Sequence, residues 1–100
     1  MIEFISVHFN VLFLKGMILV HDTKNGPMVV GAKQTLKALQ DNIVIKLFVA
    51  RDASHEVIGS VIELAKVKGI PIFYAESMEQ LGKTCEVQVK TATAALINQV

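Results

Sequence analysis

The sequence of 100 residues contains very little cysteine and almost no net charge. Cys85 is its only cysteine, which excludes an internal disulfide and fits a reducing compartment, so we expect a cytoplasmic protein. Ten Lys and Arg against nine Asp and Glu leave a net charge of +1. This balance excludes a polycation that coats nucleic acid indiscriminately, and any anion-binding site must come from a local cluster of cations.

The N-terminal segment lacks an unbroken apolar run of the length that a membrane span needs. Residues 1–20 are apolar overall, but Glu3, His8, Asn10 and Lys15 interrupt the run. We therefore expect no membrane partner. Glu3 also stands where a secretory signal would carry positive charge. Two interpretations stay open: residues 1–16 pack on the core as an extension, or the protein starts at Met17.

Sequence motifs for catalysis, metal binding and nucleotide binding are also missing. A glycine between a strand and a helix invites a nucleotide interpretation, but Gly31 is followed by neither Gly-x-Gly-x-x-Gly nor Gly-Lys-Ser/Thr. The three histidines are scattered, without metal-ligand spacing. No sequence signature gives Cys85 an adjacent base that would make it a nucleophile. We expect no catalytic residue, no metal and no small-molecule cofactor.

Alternating strand and helix patterns follow the N-terminal segment, and 52% of the residues are apolar, enough for a packed core. Residues 21–27 predict a polar turn that separates a 1–27 extension from a 28–100 domain. Asp52 or Ser54 can cap the second helix, and Ser77 can cap the third. Strands are predicted at 28–30, 43–50, 70–74 and 92–97, helices at 32–40, 55–68 and from Ser77, and a loop at 82–90. The order predicts an α/β fold, a three-layer α/β/α sandwich with a mixed, mainly four-stranded sheet.

A small basic cluster begins where the first predicted strand meets the first predicted helix. Gly31 and Ala32 open the helix, whose first N–H groups favour negative charge. Lys33 and Lys37 are four residues apart and share a helix face with Gln34, whose amide can both donate to and accept from a base edge. A solvated helix face explains the two lysines alone equally well. Together with the amide, the cluster indicates phosphates and bases, and hence RNA.

Five blocks of the chain resemble one protein family: residues 31–39, which read Gly-Ala-Lys-Gln-Thr-Leu-Lys-Ala-Leu, and residues 48–53, 61–65, 69–72 and 77–85. The chain is similar over about residues 28–97 to the L7Ae-like family of ribosomal proteins that bind kink-turn RNA, and especially to its short bacterial YbxF-type members. The resemblance implies an α/β/α fold and binding to a bent RNA in which a bulge adjoins tandem sheared G·A pairs.

The same resemblance implies a two-part RNA site. The segment of Gly31, Ala32, Lys33, Gln34 and Lys37 would enter the groove, where Lys33 and Gln34 would read the G·A pairs and Lys37 would meet phosphate. The second part would be the loop of Glu86, Val87, Gln88 and Val89, with the two valines covering unstacked bulge bases.

We expect a non-catalytic monomer whose partner is structured RNA of ribosomal or other origin. Two alternatives are a protein-interaction module that kept the fold and a small thiol-dependent hydrolase that uses Cys85.

Overall fold

The computed structural model describes residues 20–98, which form an alternating series of strands and helices. The interpretations of residues 1–16 and of a start at Met17 lie outside this range. None of the helices between residues 20 and 98 is long and apolar enough to cross a membrane. The elements are β1 (Val20–Thr23), β2 (Gly26–Val30), α1 (Ala32–Gln40), β3 (Val44–Ala50), α2 (His55–Lys68), β4 (Ile72–Ala75), α3 (Met78–Thr84) and β5 (Thr93–Ile97).

The strands form one mixed sheet in the order β1-β2-β5-β3-β4, in which only β3 and β4 pair in parallel. The predicted mixed sheet is confirmed, but it has five strands rather than four. The extra strand is β1, because the predicted polar turn at 21–27 is a β-hairpin. Its tip is tied by Thr23, whose hydroxyl donates to the Gly26 carbonyl at 2.9 Å and accepts from the Asn25 N–H at 3.1 Å. β1 contains little apolar surface to bury, and its strand conformation is stabilised by backbone pairing with β2.

Helices cover both faces of the sheet, which confirms the three-layer sandwich. Successive side chains of a strand point to opposite faces. Val29, Val49 and Ala95 therefore pack under α1 and α2, whereas Met28 and Ala94 pack on the other face with α3. These five side chains are fully buried, so the sheet contributes apolar residues to two cores.

All three helices of the described range end in the same backbone motif. A left-handed residue follows the last turn, its N–H bonds to the carbonyl three residues back, and the next N–H bonds to the carbonyl five residues back, which defines a Schellman motif. The left-handed positions are Asn42 with φ 61°, Gly69 with φ 71° and Glu86 with φ 60°. Gly69 accommodates this conformation without strain, and α2 has the predicted bounds.

The last helix ends later than predicted and has a second cap besides the predicted one. The predicted loop at 82–90 begins later, because α3 continues to Thr84 and turns at Cys85, which is buried against the sheet. Ser77 caps α3 as predicted, accepting from the Gln80 N–H at 3.0 Å. Asp52 does not cap α2. Its carboxylate accepts from the Met78 N–H at 2.8 Å and so caps α3.

Candidate nucleic-acid interface

The pairing of β2 with β5 brings together two segments that are far apart in the sequence. The Gly31 N–H, at the end of β2, donates to the Thr93 carbonyl, at the start of β5, over 2.8 Å. On the other side of β5, the Ala50 N–H donates to the Ala92 carbonyl at 2.9 Å. The start of α1 and the end of the loop before β5 therefore lie at the same end of these neighbouring strands. We call residues 86–90 of that loop the valine loop.

Gly31 is required at this junction by its backbone and not by crowding. Its φ is 100°, a conformation that other residues rarely adopt, yet a Cβ added there would meet nothing within 4 Å. No side chain caps the start of α1. The helix thus presents its positive end at an open surface, where negative charge is favoured.

The cations of α1 differ in what they do for the helix itself. Lys33 is exposed in the first turn, which contains no acidic residue, so its charge opposes the helix dipole. Lys37 is exposed in the last turn, where a cation is favourable. Helix stability therefore explains Lys37 but not Lys33, and a bound anion would relieve the repulsion at Lys33. Gln34 and Ala32 are half-buried beside them.

The valine loop presents one of its two valines to solvent. The Val89 side chain is 68% exposed, and Gln88 is exposed beside it. Val87 is half-buried and packs against the core cluster under α3. A cleft of about 310 Å³ lies between this loop and the side chains of Glu79 and Lys83. Val89 is consequently the more accessible of the two valines, whereas Val87 borders the cleft and anchors the loop.

The structure does not bring Glu86 together with Gly31. The Glu86 carboxylate accepts from the Lys24 N–H at 2.8 Å, at the tip of the β1–β2 hairpin. That tip lies at the opposite end of β2 from Gly31, about 15 Å away at the usual rise of a strand. The side chain predicted to contact RNA holds the valine loop to the hairpin.

Arg51 directly follows β3 and lies at the same end of the strands as Gly31, although the sequence analysis gave it no role. Its N–H donates to the Ala75 carbonyl at 2.9 Å, and its exposed guanidinium lies 5.3 Å from the centre of the Tyr74 ring. The only signal for this position is that Arg51 directly follows a buried strand. Gly31 and Arg51 follow β2 and β3, which are separated only by β5. The sequence pattern does not specify this strand order.

Cys85 is unsuited to the nucleophilic role considered for it. The side chain is fully buried in the cluster with Leu81 and Ala94. This burial raises the pKa of the Cys85 thiol from its ordinary 9.0 to about 11, so the thiol stays protonated at neutral pH. Within residues 20–98 no three His, Cys, Asp or Glu side chains come together in a way that could hold a metal ion.

Comparison with known proteins identifies the family. Residues 16–100 match the model of the ribosomal protein L7Ae/L30e/S12e/Gadd45 family. The chain is 48% identical to RNA-binding protein BH0128 of Halalkalibacterium halodurans over 69 residues, which cover 69% of this chain and 84% of that protein. It is 36% identical to RNA-binding protein YbxF of Geobacillus stearothermophilus over 72 residues, which cover 72% and 88% of the two chains.

A solved structure shows the same likeness. The 15.5kD RNA binding protein of Giardia lamblia superimposes with a TM-score of 0.61 at 27% identity, over 71% of this chain and 60% of that one. These matches agree with the topology and confirm the family predicted from residues 28–97. The chain belongs to the ribosomal protein L7Ae/L30e/S12e/Gadd45 family.

Proposed function

We propose that this protein is a non-catalytic RNA-binding protein that recognises kink-turn motifs in structured RNA of the cytoplasm. The observation that supports the proposal is the hydrogen bond from Gly31 to Thr93, which joins the strand that leads into α1 to the strand that follows the valine loop. Relatives described as RNA-binding proteins support the class of ligand.

The two parts of this surface suit different features of a bent RNA. Lys33 and Lys37 supply charge for phosphates, and the amide of Gln34 suits the exposed edges of G·A pairs. Val89 offers an exposed apolar surface on which an unstacked bulge base can rest. Gly31 and Ala32 allow the RNA backbone close to α1, and Gln88 borders the second contact.

The near-neutral charge of the chain favours recognition of RNA shape over general attraction. Regular RNA helices hide their bases in a deep groove, so sequence-specific proteins favour bulges and splayed bases. The net charge of +1 gives the protein as a whole little attraction for RNA. Affinity therefore depends on the bent RNA fitting both parts of the surface at once, which a monomer can provide.

The proposal is tested by titrating the protein against a kink-turn RNA and against the same RNA with its G·A pairs disrupted. We expect the intact kink-turn to bind at least about tenfold more tightly. Gln34→Ala should lower this preference more than it lowers affinity for the disrupted RNA. Equal binding of the two RNAs by the unmodified protein, or binding of neither, would contradict the proposed function.

The edge strand β4 favours a second candidate, a protein-interaction module on the same fold. Phe73 and Tyr74 are 46% and 49% exposed there, and the Lys46 ammonium lies 5.3 Å from the Phe73 ring centre. Aromatic residues and arginine are enriched in protein interfaces, and the Arg51 guanidinium lies 5.3 Å from the Tyr74 ring centre. A partner that stays bound after nuclease treatment and is released by Tyr74→Ala would support this candidate.

A further inference from the structure

Gly82 is a buried glycine inside a helix, where glycine is usually unfavourable. Such a residue costs about 1 kcal/mol relative to alanine. Gly82 has no left-handed backbone that would require glycine. A Cβ added to it, however, would overlap the Val89 carbonyl oxygen and lie 3.6 Å from the Thr91 hydroxyl. The missing side chain therefore leaves room for another part of the backbone.

The backbone that occupies this room belongs to the valine loop. The Val87 N–H donates to the Gly82 carbonyl at 3.0 Å, so the loop leaves α3 at this residue. The Val89 carbonyl then returns to the bare Cα of Gly82, where it also accepts from the Thr91 hydroxyl at 3.4 Å. The Thr91 N–H donates to the Met78 carbonyl at 3.0 Å. The loop thus leaves from and returns to a single turn of α3.

We propose that Gly82 is the positioning residue of the valine loop: its lack of a side chain seats the Val89 backbone on α3 and so sets where the Val89 side chain meets the RNA. The inference rests on the proposed function and explains which residue gives the valine loop its shape. A loop held in its binding shape loses less conformational entropy when RNA binds, which raises affinity and favours one bulge geometry.

Gly59 provides a matched control for Gly82. It also lies inside a helix, α2, but a Cβ added there would meet only the His55 Nε2, at an ordinary 3.9 Å. Gly59→Ala and Gly82→Ala therefore add the same methyl group and gain the same helix propensity. Only the change at Gly82 displaces the loop.

The variants are compared by stoichiometric titration with kink-turn RNA, which counts the binding-competent fraction, and then by affinity as a function of salt. Gly82→Ala should weaken binding about tenfold, the scale of a lost central contact. It should leave the salt dependence unchanged because Lys33 and Lys37 are untouched. Gly59→Ala should bind as the unmodified protein does. In a Val89→Ala background, the effect of Gly82→Ala should largely disappear, since both changes act through one contact.

Amide hydrogen exchange of the unmodified protein tests the same proposal without any variant. The Val87 and Thr91 N–H groups should be protected almost as well as the interior of α3 if the loop is seated on it. Rapid exchange at both amides would overturn the proposal even if Gly82→Ala fails to fold, and so would unchanged RNA affinity in a folded Gly82→Ala protein. If the unmodified protein does not prefer the kink-turn, the proposed function fails, while the exchange result still decides whether Gly82 seats the loop.

Discussion

Each of the three helices is followed by a residue with a left-handed backbone, and the conformational strain there depends on the residue type. Gly69 adopts this conformation freely, Asn42 tolerates it, and Glu86 is strained in it. The Glu86 carboxylate has a compensating contact, because it accepts from the Lys24 N–H at the hairpin tip. The residue that the sequence analysis assigned to RNA therefore has a local structural explanation.

Two substitutions of Glu86 separate the effect of its left-handed backbone strain from the effect of its hydrogen bond to Lys24. We expect Glu86→Gly to raise the free energy of unfolding by about 0.5 kcal/mol, because relief of the left-handed strain outweighs loss of an exposed hydrogen bond. Glu86→Ala keeps the strain and loses the contact, so it should lower the same quantity. Urea unfolding of both variants measures the two effects, and equal destabilisation by both would show that the conformation at Glu86 is unstrained.

The two valines of the loop should respond differently to truncation. Val89→Ala removes an exposed side chain, so unfolding should change by less than about 0.5 kcal/mol while kink-turn affinity falls about tenfold. Val87→Ala removes a half-buried side chain and should lower stability by about 1 kcal/mol. Chemical unfolding and RNA titration on the same samples check this division. Loss of RNA affinity in Val87→Ala alone would reverse the roles assigned to the two valines.

At the scale of elements, α1 carries one lysine that is favourable for the helix dipole, Lys37, and one that is unfavourable, Lys33. Lys33→Gln should stabilise the free protein by about 0.3 kcal/mol, and Lys37→Gln should destabilise it by a similar amount, because the two positions lie at opposite ends of the helix dipole. Each change should reduce the salt slope of RNA binding by about one unit. Thermal unfolding and salt titrations measure both effects, and an unchanged slope would remove that lysine from the phosphate contacts.

The elements differ in how well the sequence predicts them. α2 has the predicted bounds because its apolar stripe and Gly69 are local signals. The β1–β2 hairpin was missed, since its first strand has only Val20 as an apolar residue and forms by pairing with its neighbour. The loop before β5 was predicted to begin too early. Nothing local in the sequence shows that Leu81 and Cys85 are buried and keep α3 in place.

At the scale of the whole molecule, the buried thiol of Cys85 links folding to pH. Because burial raises the pKa of Cys85 from 9.0 to about 11, the folded state favours the neutral thiol. The stability that this supplies is present below pH 9.0 and is lost as the pH rises toward about 11. Cys85→Ala should be about 1 kcal/mol less stable than the unmodified protein at neutral pH.

The stability difference between these two proteins should narrow as the pH increases. Urea unfolding of both proteins at matched pH values isolates the thiol, because the two proteins differ in no other titratable group. A difference that stays constant up to about pH 11 would show that Cys85 is not desolvated in the folded state.

The sequence by itself determined the local features: helices and buried strands from periodicity, the strand–Gly–helix junction, and the two cations of α1. It also carried the resemblance that the comparisons confirm at the level of the family. These features depend on residues within a few positions of one another. The tertiary structure decided which segments meet. A hydrogen bond between residues 62 positions apart turns Glu86 toward the hairpin, and the pairing of β2 with β5 puts the start of α1 next to the start of β5. Such contacts depend on strand order and chain closure, for which local patterns carry no signal.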